Sequence, residues 1–239
     1  MRRLLLILAV VLAGCVPVAP PVAPPVAPPS ALAPRPDAQT AAANFAQVVQ
    51  RMEPVVTREC RLRAPTRNCD FRIVVDRRPE LPPNAFQTLD ETGRPVIGFT
   101  LALLADARNT DELAFILGHE AGHHIAGHIP RRIEQARTGA IIAGALAALT
   151  GADESTIERV AGIGGEIAAR RFAPAFELEA DKLGTLLAFI AGFDPERGAA
   201  FFTRIPDPGN AFLATHPPNT QRIEVVRSTL ATLRAGGRV

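Results

Sequence analysis

His119-Glu120-Ala121-Gly122-His123 follows directly on the apolar run of residues 113–118. That run predicts a helix, and residues four apart on a helix lie on the same face. Both imidazoles can therefore reach one metal ion. Glu120 lies one step round the helix, where it can act as general base on a water beside the metal. The spacing predicts a zinc hydrolase, and the alternative is a chance match of a short motif.

A second group of acidic residues supplies the ligand that this motif lacks. A catalytic zinc takes three protein ligands and keeps one position open. Glu177 and Asp181 lie four residues apart in a second helical pattern. We predict that Glu177 is the third ligand and that Asp181 accepts a hydrogen bond from a ligand imidazole, which fixes its tautomer. Glu179 is the weaker choice, and the alternative for each acid is a solvated helix face.

Together the two motifs resemble those of the gluzincin zinc metallopeptidases related to the CAAX prenyl endopeptidase and the heat-shock protease HtpX. The order of the weaker flanking segments extends the resemblance over residues 71–227. It implies an α+β, mostly helical fold, with a zincin-type active-site helix beside a small antiparallel sheet. It also implies one zinc ion per chain, held by His119, His123 and Glu177.

The composition is that of a globular protein with no sign of a nucleic-acid partner. The chain has 239 residues, 47% of them hydrophobic, which is enough for one domain with a core. It contains no tyrosine, so a tyrosine hydroxyl cannot stabilise an oxyanion here. Without residues 1–14 the 26 basic residues fall to 24, which equals the 24 acidic ones. This balance gives no reason to expect nucleic-acid binding.

The first residues predict export from the cytoplasm. Two arginines precede an apolar stretch, residues 4–13, that is too short to span a bilayer. Leu12-Ala13-Gly14-Cys15 resembles a bacterial lipobox, which implies cleavage before Cys15 and lipidation of its thiol. The alternative is an ordinary secretory signal with a chance cysteine.

The predicted organisation follows from this start. We expect a lipoprotein signal peptide over residues 1–14, a lipidated cysteine with a Pro-rich spacer over 15–36, and a zinc metallopeptidase domain over 37–239. The repeated proline predicts an extended polyproline II segment, which would hold the domain away from its anchor. The expected location is the bacterial periplasm, at a membrane, with the outer membrane favoured over the inner.

Cys60 and Cys69 are the two other cysteines of the chain. An exported protein folds in an oxidising compartment, so we predict a disulfide between them. The alternatives are two free thiols or a second metal site, although no CxxC spacing supports a metal.

Four further residues bear on the site. His216 precedes Pro217 between two helical patterns, where the resembled family carries a comparable His-Pro. We predict that His216 is catalytic, either donating to the oxyanion or occupying the open metal position as a gate, with a purely structural role as an equal alternative. Arg222 is the reserve donor. We expect His124 to face away from the metal and His128 to be structural or to support a ligand.

The hydrophobic pattern also predicts individual elements. We expect a first helix ended by Pro54, three short strands over residues 69–76, 84–89 and 96–99, and a motif helix stopped by Pro130. The last strand is expected to form the sheet edge on which a peptide docks. The run of residues 138–150 is short for a membrane span and predicts a buried or interfacial helix.

These features predict a zinc-dependent endopeptidase whose general base is Glu120. By the resemblance, its substrates are misfolded or misassembled envelope proteins, and its other contact is the membrane, through the lipid anchor. One alternative is a periplasmic chaperone or assembly factor with little proteolysis. Another is a structural lipoprotein in which the metal only joins two helices.

Overall fold

A computed structural model describes residues 34–171, 173–207 and 217–239 of the chain. The expected signal peptide, the lipidation site Cys15, most of the Pro-rich spacer and His216 lie outside the described residues. The domain boundaries proposed from the sequence therefore stay predictions.

The described residues form eight α-helices, three strands and one 3-10 turn, which confirms the mostly helical α+β fold. In chain order the elements are α1 (Ala38–Arg63), β1 (Arg72–Asp76), β2 (Ala85–Leu89), β3 (Pro95–Thr100), α2 (Leu101–Asp106), α3 (Thr110–Ala126), α4 (His128–Leu149), α5 (Glu154–Arg171), α6 (Ala173–Ile190), α7 (Pro195–Ala199), the 3-10 turn Ala200–Thr203 and α8 (Asn219–Arg234).

The three strands form one mixed sheet in the order β1-β3-β2. β3 pairs in parallel with β1 and antiparallel with β2, so the expectation of a purely antiparallel sheet was wrong. The expectation that residues 96–99 form the sheet edge was also wrong. β3 is central because the chain crosses after β1 and places β2 on its far side, and its residues Ile97 and Phe99 are fully buried.

Helix α1 runs through Pro54 instead of ending there. One face of α1, including Val48, Met52 and Val56, is fully buried in the main core with β3 and α3. Pro54 lies on the opposite, exposed face. Burial of that apolar face stabilises the helix by more than the one backbone hydrogen bond that proline removes.

Helix α3 carries the His-Glu-x-x-His motif and ends before Pro130. At its start the side chain of Asn109 accepts hydrogen bonds from two backbone N–H groups. At its end Gly127 has φ +69° and donates to the carbonyl oxygens of His123 and His124. Pro130 instead lies in the first turn of α4. A backbone N–H at that position has no intrahelical partner, so proline costs the helix no hydrogen bond. His128 is therefore on a different helix from the motif.

Helices α4 and α5 form a hairpin that packs mainly on itself. Small residues face each other across it, and a Cβ on Gly164 would lie 2.2 Å from Ala143 Cβ. The large apolar side chains of α4 point outward, and Ile141 and Leu149 are 65% and 84% exposed. Residues 138–150 were expected to form a buried or interfacial helix, and the structure leaves one apolar side of this helix exposed. Within the described ranges, no helix has both the length and the apolarity needed to cross a membrane.

The predicted disulfide between Cys60 and Cys69 is confirmed, with a Cα–Cα distance of 5.7 Å. It joins the last turn of α1 to the segment that leads into β1. The intervening loop lies beside the C-terminal end of α3, because His124 Nε2 donates a hydrogen bond of 2.7 Å to the carbonyl oxygen of Asn68.

Helices α3 and α6 cross with almost no space between their backbones. A Cβ on Gly118 would lie 2.9 Å from the carbonyl oxygen of Gly184, and one on Gly184 would lie 2.8 Å from the backbone nitrogen of His119. One turn further, a Cβ on Gly122 would lie 3.0 Å from the carbonyl oxygen of Ala180. Only glycine allows this separation.

Replacing one of these glycines should disturb metal binding without touching a ligand. We expect Gly184→Ala to push α6 away from His119, to lower the free energy of unfolding by about 1–3 kcal/mol, and to weaken zinc binding about tenfold or more. The control is Gly162→Ala on α5, where a Cβ meets nothing within 4 Å. That change should leave both quantities the same or raise stability slightly. Denaturant unfolding and zinc competition titration measure the two effects, and wild-type zinc affinity in Gly184→Ala would contradict the crossing argument.

Candidate metal centre

The structure brings the three predicted ligands together. His119 Nε2 and His123 Nε2 are 3.0 Å apart, and each lies 3.4 Å from a carboxylate oxygen of Glu177. One donor atom from each residue lies within 4.8 Å of the others. The two histidines come from α3 and the glutamate from α6, so the glycine crossing sets their separation. Their role as ligands stays a prediction.

Asp181 contacts the His119 imidazole at Nδ1, the ring nitrogen that does not face Glu177. Its Oδ1 lies 2.8 Å from His119 Nδ1, and the Arg222 Nε and Nη2 atoms both donate to its carboxylate at 2.7 Å. Burial alone would raise the pKa of Asp181, but the hydrogen bonds from Arg222 and His119 outweigh it and lower that pKa. A charged carboxylate only accepts, so Nδ1 of His119 carries the hydrogen and Nε2 presents its lone pair. Arg222, expected as a reserve donor, supports Asp181 and also lines the cavity at the site, so its role as a donor stays a prediction.

His128 contacts the His123 imidazole at the corresponding ring nitrogen, Nδ1. Its Nδ1 lies 2.7 Å from His123 Nδ1, and its Nε2 lies 3.2 Å from a carboxylate oxygen of Glu179, which also accepts from Arg131. Burial lowers the pKa of His128 to about 4, so the ring is neutral. If Nε2–H donates to Glu179, then Nδ1 accepts from His123 and leaves Nε2 of His123 with its lone pair.

From the sequence, His128 was expected to be structural or to support a ligand, but the sequence did not show which ligand His128 contacts. His128 lies five residues beyond His123, a spacing that no single helix would bring face to face. The helix break at Gly127 turns the imidazole back toward the motif. Phe176 then fixes its orientation by stacking on it, with ring centroids 4.5 Å apart and planes 10° from parallel. Glu179, set aside as the weaker ligand candidate, is the residue that orients His128.

The donor set fits a divalent metal. Two nitrogen lone pairs that converge at 3.0 Å beside a carboxylate repel each other unless a cation lies between them. In the metal-free chain a proton on His119 can take the place of that cation. Hydrogen bonds to Asp181 and Glu177 outweigh the effect of burial and raise the pKa of His119 to about 10. Two imidazoles and one carboxylate are also the ligand types of many catalytic zinc sites. Zinc itself stays a proposal, because other divalent ions accept the same donors.

Glu120 lies beside the ligands and contributes no atom to their cluster. Its side chain lines the cavity at the site, as do His119 and His123. Burial is the main effect on its ionisation and raises its pKa, against the lowering effect of the two neighbouring histidines. A carboxylate with a raised pKa is suited to accept a proton and then release it.

Two adjoining cavities meet at the site. The first has a volume of about 530 Å³ and is lined by Phe115, Phe202 and other apolar side chains together with the ligands. The second, of about 290 Å³, continues past His123 toward Leu89. Gln87 of strand β2 borders both cavities, so the strand follows the length of the cleft.

Comparison with known proteins agrees with this centre. Residues 42–230 match the model of peptidase family M48. The chain is 34% identical over 134 residues to a putative beta-barrel assembly-enhancing protease of Vibrio cholerae, covering 51% of this chain and 28% of that protein. It is 28% identical over 156 residues to the mitochondrial metalloendopeptidase OMA1 of Saccharomyces cerevisiae, covering 61% and 43%. It is 27% identical over 146 residues to the beta-barrel assembly-enhancing protease of Escherichia coli K12, covering 56% and 30%. The chain thus spans less than half the length of each of these relatives.

Histidine substitutions should separate ligands from their supports. We expect His123→Ala to abolish zinc binding and His128→Ala to weaken it by about 10- to 100-fold, because the support of a ligand imidazole is lost. The matched control is His124→Ala, which should lower thermal stability through the lost bond to Asn68 while zinc affinity stays within about twofold. Competition with a chromophoric chelator measures the affinities. An unchanged affinity in His128→Ala would remove that residue from the site.

Proposed function

The chain belongs to peptidase family M48, and we propose that it is a zinc-dependent endopeptidase that hydrolyses peptide bonds within polypeptides. One observation carries this proposal: two imidazole lone pairs and a carboxylate converge next to Glu120, in a cleft that a β-strand borders. Family membership alone would be compatible with an inactive relative. The converging donors support an active one.

The residues of the chain divide the chemistry between them. When bound, the metal lowers the pKa of a water molecule and polarises the scissile carbonyl. Glu120 accepts the proton of the attacking water, whose oxygen bonds to the carbonyl carbon, and passes that proton to the leaving amine as the C–N bond breaks. His216, which lies outside the described residues, stays our proposed further catalytic residue, either as a donor to the oxyanion or as a gate, with a structural role as the alternative.

Loss of the Glu120 carboxylate should separate catalysis from metal binding. We expect Glu120→Gln to keep its zinc and its fold while kcat falls by about 10²- to 10⁴-fold, because the general base is lost. The control is Glu158→Gln, an exposed glutamate of α5 that should leave turnover unchanged. Casein digestion and metal analysis on the same samples test this. Near-normal cleavage by Glu120→Gln would refute the mechanism.

Strand β2 offers the substrate a row of backbone hydrogen-bonding groups. The N–H of Thr100 donates to the carbonyl oxygen of Asn84, and the N–H of Asp90 donates to that of Arg94. Hydrogen-bonded and non-bonded pairs alternate along an antiparallel ladder. Given the pairing of β2 with β3, every second residue of β2 therefore turns its N–H and C=O away from β3. These residues are Ala85, Gln87 and Leu89.

The same three residues line the two cavities. We therefore propose that the peptide docks on β2. Docking on the edge of β3, which was expected from the sequence, is excluded because β3 pairs with a strand on each side. An extended polypeptide would add to the β2 edge through main-chain hydrogen bonds. Such binding depends little on side chains, which suits a protease that acts on unfolded segments.

A proline on this edge should weaken substrate binding selectively. Gln87→Pro removes the central outward N–H, and proline is tolerated at such edge positions. We expect KM for peptides to rise by about fivefold or more while zinc affinity is kept. Gln87→Ala is the matched control, because it removes the side chain and keeps the N–H, so KM should change by less than about twofold. Equal KM values for the two variants would count against docking on β2.

For the biological role we propose cleavage of misfolded or misassembled envelope proteins by a periplasmic lipoprotein anchored through Cys15. The names of the Vibrio cholerae and Escherichia coli relatives, which mention assembly of β-barrels, support this choice of substrate. The main alternative is a chaperone or assembly factor that binds clients and rarely cuts them. Such a protein would keep its full effect on clients after Glu120→Gln, whereas a protease would lose it.

A further inference from the structure

The disulfide-closed loop between α1 and β1 carries an arginine into the second cavity. The side chain of Arg67 lines that cavity together with Gln87, Leu89 and His123. The loop is held in place by the Cys60–Cys69 bond and by the hydrogen bond from His124 to the Asn68 carbonyl. Arg67 is thus attached, through its loop, to the end of the helix that carries both ligand histidines.

The guanidinium of Arg67 lies directly over Gly127. A Cβ on that glycine would lie 1.9 Å from Arg67 Nη2, so any larger residue would displace the side chain. In the described part of the chain, no acidic side chain lines this cavity, and no hydrogen bond or ion pair is formed by this guanidinium. The described structure therefore leaves the half-buried positive charge of Arg67 without an acidic partner, in a cavity that His123 also lines.

We propose that Arg67 binds a carboxylate of the peptide substrate and so makes the enzyme prefer acidic peptides. The inference rests on the proposed peptidase function. A peptide that extends the β2 edge passes from the first cavity, along Gln87, to Leu89 in the second. Its residues there lie in the cavity that Arg67 borders. A guanidinium presents paired N–H donors that match a carboxylate in a fork geometry.

The carboxylate can come from two sources. It is either the side chain of a glutamate or aspartate near the cleaved bond, or the C-terminal carboxylate of a chain end that lies in the second cavity. The competing explanation is that Arg67 only neutralises the negative end of the α3 helix dipole, which Gly127 terminates. In that case Arg67 would affect stability and not the choice of peptide.

The test uses the zinc-loaded full chain and pairs of quenched fluorescent peptides. One series carries Glu or Gln at each position on either side of a common cleavage site. A second series carries a free or an amidated C-terminus at short distances from that site. Wild type is compared with Arg67→Met, with Arg67→Lys, and with the control Arg61→Met, which removes an exposed arginine of α1 nearby.

We expect wild type to cleave one acidic peptide with a kcat/KM about tenfold above its neutral twin. Arg67→Met should lose this preference, so that it cleaves the acidic and the neutral peptide with kcat/KM values within about twofold of each other, and Arg67→Lys should keep part of it. Arg61→Met should behave as wild type. A preference in the Glu/Gln series assigns the side-chain carboxylate, and one in the second series assigns the C-terminus.

Two results would overturn the inference while leaving the peptidase function intact. They are equal cleavage of all peptide pairs by wild type, and a preference that survives in Arg67→Met. If zinc-loaded wild type cleaves no peptide at all, the proposed function fails, and anisotropy of labelled peptides with Glu120→Gln protein still decides the role of Arg67. Equal dissociation constants for acidic and neutral peptides there would refute it. A lower melting temperature of Arg67→Met without any change in preference would identify a helix-end role.

Discussion

The close crossing of α3 and α6 is the constraint on which the rest of the site depends. Because Gly118, Gly122 and Gly184 lack a Cβ, the two backbones meet at van der Waals distance at the level of His119. A carboxylate side chain on α6 then reaches a ring nitrogen on α3 without intervening residues. Both Glu177 and Asp181 use this short distance, Glu177 at Nε2 of the His119 imidazole and Asp181 at its Nδ1.

Carboxylates in this region are paired with arginines. Asp181 is fully buried beside His119 and accepts from Arg222, and the partly exposed Glu179, which contacts His128, accepts from Arg131. At the start of α3, Glu112 is 1% exposed and receives two hydrogen bonds of 2.7 Å from one arginine, Arg204. An unpaired carboxylate in such surroundings would be strongly destabilising. The paired ones hold α3 and the orientations of the imidazole rings in a fixed arrangement.

The sequence predicted the part of the site that follows from spacing along single helices. The two histidines, the glutamate and the aspartate behind them all obey the i, i+4 rule, and the disulfide follows from cysteine count and export. The errors concern features set by tertiary packing. Pro54 did not end α1 because core burial outweighed propensity, and β3 became central because a crossover moved β2 past it. For His128 a supporting role was among the expectations, but its contact with His123 depends on the helix break at Gly127, which no periodicity reveals.

The central claim is that His119 and His123 direct their Nε2 lone pairs, together with Glu177, at one metal ion. X-ray absorption at the zinc edge of the zinc-reconstituted chain tests it most directly. We expect a first shell of nitrogen and oxygen donors at about 2.0–2.2 Å, with the outer-shell scattering of at least two imidazoles. A shell that contains sulfur, or one fitted by a single imidazole or none, would contradict it.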